Sequence, residues 1–377
     1  MTHTPGILFS ILAFVLVIGP LVFIHEFGHY LAGRWFGVKA ETFSIGFGHE
    51  IAGWSDRRGT RWKLGWLPLG GYVRFAGDMN PASQPDAEWL ALPAAERAQT
   101  FQAKPVWQRA IIVAAGPITN FLVAIVILAG FAYAYGDVRT PADVGTVVAG
   151  SAAQAAGLQP GDHITAIGGR SVTTFDGLAR YVVLRPGERV EIDFRRNGHA
   201  MAVNATLGSV EEGDRFGNRF EVGQLGIGAP DPVLTTVSLV EAPIVGVRRT
   251  GELVRAMTDT IGQVIGGRRS IKDFHGPVGT AQIAGEQFSL GPDAFVALIA
   301  VVSINLGFIN LLPVPMLDGG HLLFYAIEAI RRRPLRPEAM EWAFRGGLAA
   351  LLALVVVVTF NDLGSFGLWK NLTGLIG

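Results

Sequence analysis

Cysteine is absent from the 377-residue chain. Its absence excludes disulfides, thiolate metal sites and a cysteine nucleophile, and leaves His, Asp and Glu as donors for any metal. Charge is scarce too: only 16% of residues are charged, with 31 of each sign, so the net charge is zero and gives no hint of nucleic acid. Half of the residues are hydrophobic and the mean hydropathy is positive. That is too apolar for an ordinary soluble enzyme and too polar for a pure bundle of spans, so membrane helices plus at least one soluble domain are expected.

The apolar run Ile7 to Ile24 lacks a basic n-region and a small-residue cleavage site, so it reads as a retained span rather than a signal peptide. A second run, Ile111 to Tyr135, is long enough to cross a hydrocarbon core of roughly 30 Å. The third, Ala294 to Leu312, is broken by Pro313 and Pro315 and resumes as helix at about His321 to Ile330; the fourth is Gly346 to Phe360. Four spans put both termini on one side of the membrane.

Orientation follows from Lys and Arg near the span ends. The first 24 residues have none, whereas Gly33 to Arg109 is rich in them and the last link reads "RRRPLR", Arg331 to Arg336. Both basic links are expected in the cytoplasm, and both termini and the region between spans two and three outside.

The outer region starts with strand-like runs punctuated by turn signals, then "TFDGLARYVVL" with helical spacing, then a hairpin turning at Asn197-Gly198. The order of elements and "AGLQPGD", Ala156 to Asp162, resemble a bacterial PDZ domain. Ala242 to Ile265 is amphipathic, suited to the membrane surface. Between spans one and two, residues 40–77 carry glycines and aromatics that suggest short strands joined by turns, with Trp54, Trp62, Trp66 and Tyr72 suited to an interface. The domain reading is thus 1–36, first span; 37–77, membrane-associated β-hairpin or sheet; 78–110, cytoplasmic loop; 111–136, second span; 140–230, PDZ domain; 231–293, amphipathic juxtamembrane region; 294–330, broken third span; 331–345, basic cytoplasmic loop; 346–377, fourth span and outer tail. The fold class is a polytopic α-helical membrane protein with a membrane-associated β-sheet and an extracytoplasmic α/β PDZ domain.

Three hydrophilic residues interrupt the greasiest part of the chain. His25, Glu26 and His29 form H-E-x-x-H, which on a helix puts both imidazoles on one face for a Zn2+ ion, with Glu26 placed to take a proton from water. Ionisable groups within a span are expensive and functional by default. The alternative is that the span simply ends at Ile24 and these residues are surface polar groups. A catalytic zinc needs a third protein ligand. Glu41 and Glu50 lie in the strand region; the better candidate is Asp318 in "NLLPVPMLDGGH", an acid inside a broken span flanked by Pro313, Pro315, Gly319 and Gly320. One shared ion accounts for both costly interruptions.

"HEFGH", "GWLPLGGYVRF", "AAGPITNF", the PDZ-like insert, "GPVG" and "SINLGFINLLPVPMLDGGHLL" together resemble the site-2 protease family of intramembrane metalloproteases, and within it the bacterial regulator-of-sigma-E protease branch. The resemblance covers nearly the whole chain. It implies a zinc metalloendopeptidase with His25, His29 and Asp318 as ligands and Glu26 as acid/base. It also implies that Asn310 holds the substrate backbone, and that Gly70, Gly71, Tyr72, Val73 and Arg74 form an edge strand that pairs with it. Asn305 matches another polar position of the motif, with helix packing as the alternative role. His321, one turn after Asp318, is the competing ligand, and a local hydrogen bond is its favoured role. The implied substrates are single-span proteins of the anti-sigma factor type, trimmed outside by another protease, or signal-peptide remnants. The implied setting is the lipid bilayer of a bacterial inner membrane, with the PDZ domain a size filter or the binder of a PDZ ligand. The branch's well-known members carry tandem PDZ domains, whereas this chain has room for one. The rival reading is a non-catalytic membrane-anchored PDZ adaptor or metal-binding scaffold, which has no need of Glu26.

Overall fold

The structure, a computed structural model, describes residues 6–77, 92–213, 219–266, 276–333 and 335–365. Parts of the expected cytoplasmic loop (78–91), PDZ segment (214–218), juxtamembrane region (267–275) and outer tail (366–377) lie outside the described residues. The helices longer than a single turn are α1 (Ile7–Trp35), α2 (Val106–Tyr135), α3 (Phe175–Val183), α4 (Ala242–Ile265), α5 (Pro277–Ser289), α6 (Pro292–Asn310), α7 (Asp318–Arg331) and α8 (Pro337–Ser365). Among the described residues α1, α2, α6 and the Glu338–Thr359 part of α8 are long and apolar enough to cross a membrane. The chain divides into two compact units, residues 1–127 with 275–360, and residues 128–274 with 361–377.

In the first unit α1 is apolar all round, as a helix bathed in lipid must be. Ile7, Leu8, Leu12 and Leu16 are exposed, while Ala13, Val17, Leu21, His25 and Gly28 form one buried stripe at spacings of three and four. His25 therefore continues the stripe that packs inward. Ala284 of α5 joins Ala13, Val17 and Leu21 in one core cluster, and the Phe288 ring meets Phe9 edge-on at 5.2 Å. The segment read as one juxtamembrane region thus holds two helices, α4 in the second unit and α5 in the first.

Two long strands, β1 (Ala40–Ser55) and β2 (Arg61–Phe75), double back on each other. Thr42 to Ile45 lie between residues 71–74 on one side and 61–64 on the other, and 61–64 pair again with 52–55. Residues 71–74 are consequently an edge. Phe43 anchors the sheet to α1, stacked 4.3 Å from Trp62 and edge-on to Tyr30 at 5.9 Å and Phe23 at 5.5 Å.

The third span breaks where its prolines predict. Helix α6 ends at Asn310, a turn follows, and α7 begins at Asp318. Within the turn Met316 has φ 85°, a left-handed conformation uncommon for a residue with a side chain. Gly319 and Gly320 allow it to fold onto α7: a Cβ at Gly319 would stand 2.2 Å from the Leu312 carbonyl oxygen, and one at Gly320 2.4 Å from that of Val314.

The second unit contains β3 (Asp137–Arg139), β4 (Thr146–Val147), β5 (His163–Ile167), β6 (Arg170–Ser171), β7 (Arg189–Arg196), β8 (His199–Thr206), β9 (Gly208–Gly213), β10 (Arg219–Gln224), β11 (Ile227–Gly228) and β12 (Val233–Thr235). An antiparallel sheet of order β6-β5-β7-β8 and α3 enclose a core built on Ile164, Ile167, Leu178, Ile192 and Phe194. The β7–β8 hairpin turns at Asn197 and Gly198, with φ 50° and 83°, as an Asn-Gly turn requires. Beneath it Asp162, 1% exposed, accepts two hydrogen bonds of 2.7 Å from Arg196 and one of 2.8 Å from the Gln159 amide. Burial pushes its carboxyl up, but those donors outweigh burial and hold it below the usual carboxylate range.

Candidate metal centre

Four turns along the buried stripe of α1, His25 and His29 project beside Asp318, the first residue of α7. His25 Nε2 is 3.1 Å from Asp318 Oδ2, His29 Nε2 is 3.5 Å from the same oxygen, and the two Nε2 atoms are 3.3 Å apart. One ligand atom from each residue fits within 4.8 Å of the other two, and the described residues hold no other such cluster. Asp318 Oδ2 is buried and receives no hydrogen bond of acceptable geometry. Two imidazole nitrogens and a buried carboxylate oxygen without a hydrogen-bond partner, pointed at one spot, make a costly arrangement. A cation held by all three removes that cost, and two imidazoles with one carboxylate are a donor set suited to zinc.

The surroundings aim these donors. His29 Nδ1–H donates to the Ile112 carbonyl of α2 at 2.9 Å, which leaves its Nε2 lone pair directed at the cluster. Gly116, one turn on, makes room for the ring, since a Cβ there would lie 2.2 Å from His29 Nε2. His25 Nδ1 is 3.2 Å from Asn120 Nδ2, also on α2. Asn120 is fully buried, and its backbone oxygen accepts a 2.7 Å hydrogen bond from Ser303 Oγ of α6.

Beside the cluster is a cavity of about 380 Å³, lined by His25, Glu26, His29, Asn310, Asp318 and His321 and by Gly70 to Val73. Glu26 faces the sheet edge, where the Val73 backbone N–H donates to its carboxylate and Gly71 lies against its stem. Asn310 reaches the cavity as the last residue of α6. Arg74 and Asn305 do not line it, and the Arg74 guanidinium pairs instead with Glu41 at 3.2 Å. His321 lines the cavity but stands outside the three-residue cluster, its ring 5.0 Å from that of Phe344. The centre therefore unites His25, Glu26, His29, Asn310 and Asp318 with the edge segment Gly70 to Val73. In the sequence Gly116 and Asn120 stand in "AAGPITNF" with no task legible for either; a lone Asn in an apolar run is the signal that marks the second.

Comparison with known proteins agrees with this chemistry. The family model described as Peptidase family M50 matches residues 13–354. "Putative zinc metalloprotease Atu1380" of Agrobacterium fabrum is 45% identical over 94% of this chain and 96% of its own length. "Putative zinc metalloprotease R01501" of Rhizobium meliloti is 41% identical over 94% and 96%. Metalloprotease MmpA of Caulobacter vibrioides is 37% identical over 98% and 99%.

Proposed function

Because the chain belongs to peptidase family M50, the site-2 proteases, and is a multi-pass membrane zinc metalloprotease, we propose that it hydrolyses peptide bonds inside the membrane-spanning segments of single-span proteins. The observation that carries this reading is the position of the cluster. His25 lies ten residues, about 15 Å along the helix, before the end of α1 at Trp35, which supports a site set within the span rather than in a polar domain.

His25, His29 and Asp318 would hold the zinc. When bound there, zinc supplies Lewis acidity that polarises the scissile carbonyl and makes water more acidic. Glu26 takes the proton of the attacking water on its carboxylate and delivers it to the nitrogen of the leaving amine. A substrate helix hides its peptide bonds behind its own hydrogen bonds and must unwind to be cut. The unpaired side of residues 70–74 receives the unwound segment as an added strand, and Asn310 hydrogen-bonds its backbone from across the cavity. The cavity, lined by polar and apolar groups in about equal part, has room for the reacting water.

The outer unit is read as a single PDZ domain over residues 140–230, on the support of its four-stranded sheet, its helix α3 and its hairpin. With basic links inside, that domain and both termini face outward across a bacterial inner membrane. The substrates that fit are anti-sigma factor-type proteins first trimmed by another protease, or signal-peptide remnants, with the PDZ domain filtering by size or binding a new terminus. The test compares wild type with Glu26→Gln in proteoliposomes on a tagged single-span substrate lacking its outer domain, with zinc assayed in both. Cleavage should fall by about 10²- to 10⁴-fold with zinc retained. A mutant that cuts as well as wild type would sink the assignment of Glu26, and a wild type without zinc would sink the metal centre.

A further inference from the structure

His25 can give its Nε2 lone pair to a metal only if its single proton sits on Nδ1, and a proton on Nδ1 needs an acceptor. The neighbour of Nδ1 is the Asn120 carboxamide, whose Nδ2 is 3.2 Å away. A carboxamide nitrogen is a donor, and facing Nδ1 it drives the ring proton to Nε2, the atom directed at His29 and Asp318. The same amide's Oδ1 is buried and has no hydrogen-bond partner among the described residues, so no donor anchors it where it stands. A half-turn about the last side-chain bond exchanges the two atoms with no other movement. The backbone of Asn120 is meanwhile pinned by Ser303, which fixes the hinge of that turn against α6.

We propose that Asn120 is the positioning residue for the metal centre: its Oδ1 accepts the Nδ1–H of His25, selects the metal-binding tautomer and fixes the ring plane. His29 has a backbone acceptor for the same purpose in Ile112. His25 has only a side chain able to present either a donor or an acceptor, so the loading of its Nε2 depends on which end of one amide faces it. Both supports come from α2, eight residues apart, so a helix that supplies no metal ligand sets the tautomer of both that do.

The proposal rests on His25 being a ligand, and the experiment separates the two. Full-length protein in detergent micelles is titrated with zinc against a fluorescent chelator, as wild type, His25→Ala, Asn120→Leu and Asn120→Asp, and the melting of each metal-free form is recorded. Leucine keeps the branched four-atom skeleton of the asparagine side chain but neither donates nor accepts; aspartate accepts without donating. Zinc affinity should fall by about 10- to 100-fold in Asn120→Leu and stay within about threefold of wild type, or tighten, in Asn120→Asp. A purely structural role would lower the melting of the metal-free forms and weaken zinc alike in both variants, and that pattern overturns the proposal. So does wild-type affinity in Asn120→Leu. Full zinc binding in His25→Ala would overturn the ligand assignment itself.

Discussion

A methyl group added at Gly116 would stand 2.2 Å from His29 Nε2, 2.5 Å from Cε1 and 2.8 Å from Cδ2. Ordinary contact begins near 3.4 Å, so the ring must retreat by about 1.2 Å, the difference of 3.4 and 2.2. The added methyl is fixed to the backbone of a packed helix and cannot itself give way. Retreat strains the 2.9 Å hydrogen bond to Ile112 and carries Nε2 off the spot it shares with His25 and Asp318. A displacement of about 1 Å at a reacting centre costs on the order of a hundredfold in rate, and a misaimed ligand about 10- to 100-fold in metal affinity. Gly→Ala inside a helix otherwise stabilises by roughly 1 kcal/mol. Gly130 of the same helix has nothing within 4 Å of its Cβ position, so Gly130→Ala isolates that propensity gain. Chelator competition and cleavage in proteoliposomes should show Gly116→Ala losing about a hundredfold in rate while Gly130→Ala keeps wild-type values. Equal zinc affinity and equal cleavage in the two variants would refute the claim that Gly116 seats His29.

Two further outcomes concern the second unit. Because Arg196 and the Gln159 amide depress the Asp162 carboxyl, its contribution to stability is fully present above the unfolded value near pH 4 and is lost as pH falls through the lower native one. Arg196→Met should therefore melt below wild type at neutral pH, with the gap closing toward about pH 3; a gap constant across that range would contradict the pairing. Gly198→Ala meets no atom within 4 Å, so its cost is that of φ 83° alone, about 1 to 2 kcal/mol. Calorimetry should find the transition of the second unit several degrees lower with zinc binding unchanged, and an unshifted transition would rule out the strain.

The metal cluster was legible because His25 and His29 sit four apart on a helix, and because Asp318 is an acid in a proline-broken span, where lipid forbids idle charge. Apolar length gave the four spans, and Asn197-Gly198 gave the hairpin. The doubling of β1 against β2 was not legible. Each strand reads as short pieces between glycines, and what selects their pairing is Phe43 wedged among Trp62, Tyr30 and Phe23, a tertiary contact no local pattern carries. Helix α5 was hidden for a similar reason: "PVGTAQIAGEQFS" is mildly polar, and only its contact with Ala13 and Val17 reveals the face it buries. The Asn120 partner lies 95 residues back along the chain, beyond the reach of any spacing rule.

Asp318 comes 289 residues after His29, the difference of 318 and 29, at the start of a helix laid down only when three earlier spans have been made. During synthesis the ribosome therefore delivers two donors early and the last one late. A nascent or truncated chain that stops before the proline turn has the two imidazoles and the Glu26 carboxylate but not the third residue of the cluster. A cluster split between residues 25–29 and 318 is complete only when the late part of the chain has folded back onto the early one.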